Sequence, residues 1–87
     1  MEEFTRAAMH HGFAESDARM LVEQTFLGAS ELLAAGTDSP AELRRRVTSP
    51  NGTTERAIAV LHDADLAGLF GRATAAALTR AHELAAG

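Results

Sequence analysis

The chain has no cysteine, lysine, tyrosine or tryptophan, and only two prolines. Without cysteine there is no disulfide framework and no thiolate zinc site, so neither can reinforce a small fold. The histidines do not make up for this. His10 and His11 are neighbours that diverge on a helix, and His62 and His82 have no histidine three or four residues away. No tetrahedral metal set is visible, and no metal is expected. The missing lysine leaves eight arginines against twelve acidic residues, for a net charge of −4. Three of those arginines are consecutive, Arg44-Arg45-Arg46, and point in three directions on a helix, so they make no basic face. An acidic chain without interleaved aromatics is a poor nucleic-acid reader. No apolar run approaches the ~20 residues that span a bilayer. The start, Met1-Glu2-Glu3, is acidic and opens no signal peptide. A cytoplasmic protein with no nucleic-acid or membrane partner is expected.

What is present is helix-forming. Alanine loses no side-chain entropy in a helix, and arginine and leucine tolerate it well. With 87 residues the chain is one domain or part of one. A domain this small buries only roughly two-thirds of its unfolded surface, so association is the remaining route to stability.

The pattern divides into five helices with short connections. Residues 2–11 form a short helix, with Phe4, Ala8 and His11 on one face and Gly12 placed as a left-handed terminator. Its abrupt beginning suggests an element cut from a longer parent. Residues 14–35 form a long helix. Val22, Phe26, Ala29 and Leu33 make one stripe, and Ala18, Leu21, Gly28 and Leu32 a second beside it. Two adjacent stripes mean packing on several sides. Gln24 and Thr25 are polar within it; Thr25 has a choice between a partner chain and its own backbone. Gly36 ends this helix. Ser39-Pro40-Ala41-Glu42 then reads as a capping box with proline in the first turn, opening a helix that ends near Val47.

The next helix runs to about His62, with Ser49 or Thr53 as its candidate cap. Asp63-Ala64-Asp65 breaks the chain again, and either aspartate can cap the last helix, residues 66–85. There Leu66, Leu69, Phe70, Ala73, Ala77, Ala81 and Leu84 form a continuous stripe whose alanine-rich middle suits a close crossing. No stretch alternates with period two, so no strand is predicted. The two long helices carry more apolar surface than three short ones can cover, which predicts a homodimer.

The most distinctive segment is Val47-Thr48-Ser49-Pro50-Asn51-Gly52-Thr53-Thr54, a polar turn leading into a helix. Backbone N–H groups and the positive dipole end make a helix N-terminus a seat for a carboxylate or phosphate. Read from spacing alone, the segment is equally an ordinary interhelical turn.

This segment, with Pro40-Ala41-Glu42-Leu43-Arg44 before it, resembles the signature of pyrroline-5-carboxylate reductases, usually Thr-Ser-Pro-Gly-Gly-Thr-Thr. Leu21 to Ala29 is similar to that family's long interface helix. Ala57, Val60, Leu61, Leu66 and the tail Arg80-Ala81-His82-Glu83-Leu84 fall at matching offsets. The resemblance covers essentially the whole chain. It implies an all-α fold, an intertwined helical dimerisation domain of the 6-phosphogluconate dehydrogenase C-terminal type spanning residues 1–87. The resemblance leaves open assembly of the dimers into a higher oligomer.

The family pairs that domain with an N-terminal Rossmann domain, which this chain does not contain, and reduces 1-pyrroline-5-carboxylate to L-proline with NADPH or NADH. The resemblance therefore implies a small imino-acid substrate, no cofactor on this chain, and no activity from it alone. The amides of Gly52, Thr53 and Thr54 would hold the substrate carboxylate, and the Thr54 hydroxyl would meet the imine nitrogen. Ser49 and Pro50 would shape the turn. Two residues depart from the pattern. Asn51 stands where the family usually has its first glycine, and Asp65 stands near a usual glycine. The alternative is a stand-alone, non-catalytic dimerisation or ligand-binding module built on the same fold.

Overall fold

The computed structural model describes residues 1–87 and contains five α-helices and no strand. They are α1 (Glu2–His10), α2 (Glu15–Ala35), α3 (Pro40–Val47), α4 (Thr53–Asp63) and α5 (Leu66–Ala86). The chain forms two compact units, Met1–Arg44 and Arg45–Gly87.

In the first unit α1 packs on the N-terminal half of α2. Gly12 makes the reversal between them with φ of +105°, a conformation that costs glycine little, and its N–H donates to the Met9 carbonyl at 3.0 Å. The folded-back α1 covers only the beginning of the α2 stripe. Ala18 and Val22 are fully buried, and Phe4 meets Phe26 edge to face with ring centroids 6.4 Å apart. Beyond that point the stripe is bare: Leu27, Leu32 and Leu33 are all exposed. Thr25 donates its hydroxyl to the Leu21 carbonyl at 2.7 Å, so it bonds to its own helix. Gly36 closes α2 in an extended conformation. Ser39 Oγ accepts from the Glu42 N–H at 3.2 Å, forming the serine half of the expected box.

The second unit contains no buried residue. Its α4 and α5 are joined by a two-residue turn at Ala64-Asp65. Of the two candidate aspartates, Asp65 is the cap, and its carboxylate accepts from the Gly68 N–H at 3.2 Å. Asp65 has φ of +55°. Glycine would adopt that angle freely, while aspartate pays for it and offsets the cost through the cap. Along α5 the predicted stripe is uncovered, with Phe70 68% and Leu84 65% exposed. Three surface pairs, Glu3–Arg6, Arg19–Glu23 and Arg80–Glu83, run along solvated helix faces and contribute little.

These units do not hold themselves together. Burying a side chain such as valine stabilises by ~1.5–3 kcal/mol, whereas ordering each residue costs ~1–2 kcal/mol of backbone entropy. A core of Ala18 and Val22 cannot offset that cost. The exposed leucines and phenylalanines of α2 and α5 are apolar area that can do so once a second surface covers them.

Candidate carboxylate-binding loop

Ser49, Pro50, Asn51 and Gly52 form one tight turn, closed by the Gly52 N–H donating to the Ser49 carbonyl at 3.0 Å. Asn51 has φ of +60°. Proline in the second place and a positive φ in the third define a type II turn. Asparagine reaches this region more easily than most residues, so the turn forms where the family usually has glycine. Gly52 then extends, with φ of −84° and ψ of 176°, and is itself the N-cap of α4. A Cβ at Gly52 would lie 3.1 Å from the Ser49 carbonyl oxygen, so the tightness of the turn favours glycine there.

The cap differs from expectation. Neither Ser49 nor Thr53 caps α4, which has no side-chain cap bond at all. The reason lies in the turn: once Asn51 turns left-handed, Thr53 is already the first helical residue, and Ser49 is held away by the turn it opens. The carboxylate of Glu55, in the first turn of α4, reaches back to the Asn51 N–H instead. Glu55 was not among the candidate site residues. Its place three residues after the Gly52 cap is the spacing of a capping-box acid, and that signal could have found it.

The turn brings Ser49, Gly52, Thr53 and Thr54 together at one helix end. Ser49 and Thr53 are exposed, and Gly52 and Thr54 are half-buried. Thr54 shares a helix edge with half-buried Ile58, four residues on. The expected amide donors are not equivalent. The Gly52 N–H is engaged by Ser49, whereas those of Thr53 and Thr54 lie in the first turn of α4, where no intrahelical acceptor exists. An arriving carboxylate would therefore meet two open amides, the positive end of the helix dipole and a neighbouring threonine hydroxyl, and beside them the negative charge of Glu55 already seated on the Asn51 N–H.

No three histidine, aspartate or glutamate side chains converge to hold a metal ion. The arginine run ends α3 with all three residues exposed. No helix is long and apolar enough to cross a membrane.

Five helices without a strand, with the two long ones left apolar and uncovered, define an all-helical association domain. The chain belongs to the pyrroline-5-carboxylate reductase dimerisation family, whose model matches residues 1–84. It is 44% identical over 85 residues to a pyrroline-5-carboxylate reductase of Pseudomonas aeruginosa, covering 98% of this chain and 31% of the relative. A pyrroline-5-carboxylate reductase of Vibrio alginolyticus is 34% identical over 85 residues, covering 97% of this chain and 31% of the relative. Pyrroline-5-carboxylate reductase 3 of Xenopus laevis is 37% identical over 86 residues, covering 95% and 30%. The chain thus spans about a third of the length of the curated relatives it matches. No solved structure gives a significant match.

Proposed function

We propose that residues 1–87 act as the dimerisation and substrate-carboxylate-holding part of an NADPH- or NADH-dependent reductase that converts 1-pyrroline-5-carboxylate to L-proline. The observation that carries this is the loop: a left-handed Asn51 turn delivers two unpaired amides and the Thr54 hydroxyl to one helix end, inside a chain that matches the reductase dimerisation family throughout. Names of the relatives supply the reaction, and the loop supplies a place for the acid group of its substrate.

In this assignment the substrate carboxylate accepts from the Thr53 and Thr54 N–H groups. Charge-assisted bonds of this kind orient a small anion without a charged side chain. The Thr54 hydroxyl faces the ring nitrogen, which gains a proton as the C=N bond is reduced. Gly52 gives the turn its tightness, and Ser49 supplies the carbonyl that closes it. A strand–glycine turn–helix unit is the usual seat of a dinucleotide, and no step of hydride transfer is assigned to these residues. The bare faces of α2 and α5 are assigned to a second copy of the chain, and assembly beyond the dimer is compatible with them. A cytoplasmic location goes with this metabolic role.

Titrating L-proline into the ¹⁵N-labelled chain tests the site. The Thr53 and Thr54 amide resonances are expected to shift together and saturably, with Gly52 moving less because its N–H is already bonded. A spectrum unmoved at millimolar L-proline would remove the carboxylate role.

A further inference from the structure

Between α1 and the first half of α2 lies an open groove lined by Phe4, Ala8, Phe13, Leu21 and Val22, with the imidazole of His11 among them. Phe4 meets Phe26, so the groove continues into the bare part of α2. His11 is the one titratable group in it. The other polar residue is Thr25, whose hydroxyl already donates to the Leu21 carbonyl. The charges of the same two helices lie elsewhere. Glu2, Arg6, Glu15, Arg19 and Glu23 line a separate groove, where Arg19 pairs with Glu23, and Glu3 pairs with Arg6. Asp17 and His10 line neither groove.

The area left open says what covers this groove. A compact monomer of 9.2 kDa exposes about 4,900 Å², and this chain exposes 7307 Å². The excess is about 2,400 Å² per chain, or about 4,800 Å² for a pair, which is the scale of an obligate homodimer interface. The occupant is therefore a second copy, in keeping with the dimerisation family to which the chain belongs.

We propose that His11 makes assembly sensitive to pH: it lies in the groove that a second copy covers, and its ring must be neutral there. In the single chain His11 is exposed, and water hydrates either form of the ring. Once covered, a charged imidazolium loses that water and finds no carboxylate of α1 or α2 in its groove to replace it. Assembly therefore favours the neutral ring, and the pair binds fewer protons than two free chains. By linkage, association is strongest above the ordinary histidine range of about 6.5 and weakens as pH falls through it. The inference rests on the assignment of the bare faces to a second copy.

Sedimentation equilibrium of the chain at about pH 7.5 and about pH 5.5 tests it, an interval in which ordinary carboxylates stay largely ionised. The dimer Kd of the wild type is expected to rise about ten- to a hundredfold at the lower pH, the upper figure being two rings held fully neutral. His11→Phe keeps a flat apolar ring and is expected to remove that dependence. A triple variant, His10→Gln with His62→Gln and His82→Gln, leaves His11 as the sole histidine and is expected to retain it. A wild-type Kd equal at the two pH values overturns the role of His11. So does a Kd that tightens on acidification, as an acid of the second copy facing the ring would make it. Loss of the dependence in the triple variant overturns it as well, and that variant decides alone if His11→Phe does not fold. Absence of any dimer at either pH overturns the assignment to a second copy itself.

Discussion

Phe70→Asp is expected to leave the chain unfolded and monomeric at concentrations where the wild type is assembled. Phe70 lies on the Leu66-Leu69-Phe70-Ala73-Ala77 stripe of α5 and is 68% exposed in the single chain. Its own unit, Arg45–Gly87, contains no fully buried residue and leaves Phe70 largely uncovered. If a second copy covers it, an aspartate there loses a phenylalanine's burial and places a charge in an apolar interface. Each loss costs several kcal/mol, and two-fold symmetry inflicts both twice. Small domains hold only ~5–15 kcal/mol in total. Thr79→Asp is the control. It lies nine residues further along, about two and a half turns, on the opposite side of α5. A surface change of this kind is expected to stay within ~0.5 kcal/mol. Sedimentation and thermal unfolding at fixed concentration read both variants. A Phe70→Asp chain with the mass and midpoint of the wild type would remove α5 from the interface.

Thr53→Pro is expected to weaken L-proline binding by about tenfold or more while leaving the helices in place. A backbone donor cannot be deleted by changing a side chain, but proline deletes it outright. Thr53 is the first residue of α4, the helical position proline tolerates best. Gly52, which precedes it, is already extended at ψ of 176°, the conformation a following proline requires. The substitution therefore removes one carboxylate donor with little local strain. A hydrogen bond to a charged group contributes ~1.5–3 kcal/mol, which sets the tenfold scale. Circular dichroism and the Kd from amide shifts give the two readouts. Unchanged affinity with intact helicity would exclude the Thr53 N–H from the site.

Much of the architecture was legible in local chemistry. The limits of α2 and α5 follow from Gly36, the Ala64-Asp65 break and stripes that persist along each helix. The left-handed Gly12 follows from its place after a short amphipathic helix. Which residue would cap α4 was not legible. Ser49, Gly52 and Thr53 all accept that position, and the choice is decided by the sign of φ at Asn51, which depends on how the turn closes. The same turn engages the Gly52 N–H, so the three amides expected to act alike divide into one structural donor and two open ones. Glu55 escaped notice because its partner is a backbone N–H four residues earlier. Asp65 reads as a plain cap in sequence; only the backbone shows it also bearing a positive φ. The extent of the bare faces was foreseen in outline, since two adjacent stripes on α2 exceed what one short α1 can cover.

The central claim is that these helices are stable only as a pair, with the loop displayed by that pair. Sedimentation equilibrium on the 87-residue chain at micromolar concentration tests it most directly. The predicted result is a species of twice 9.2 kDa whose unfolding midpoint rises with concentration. A cooperatively folded monomer of 9.2 kDa, with a midpoint independent of concentration, would contradict it.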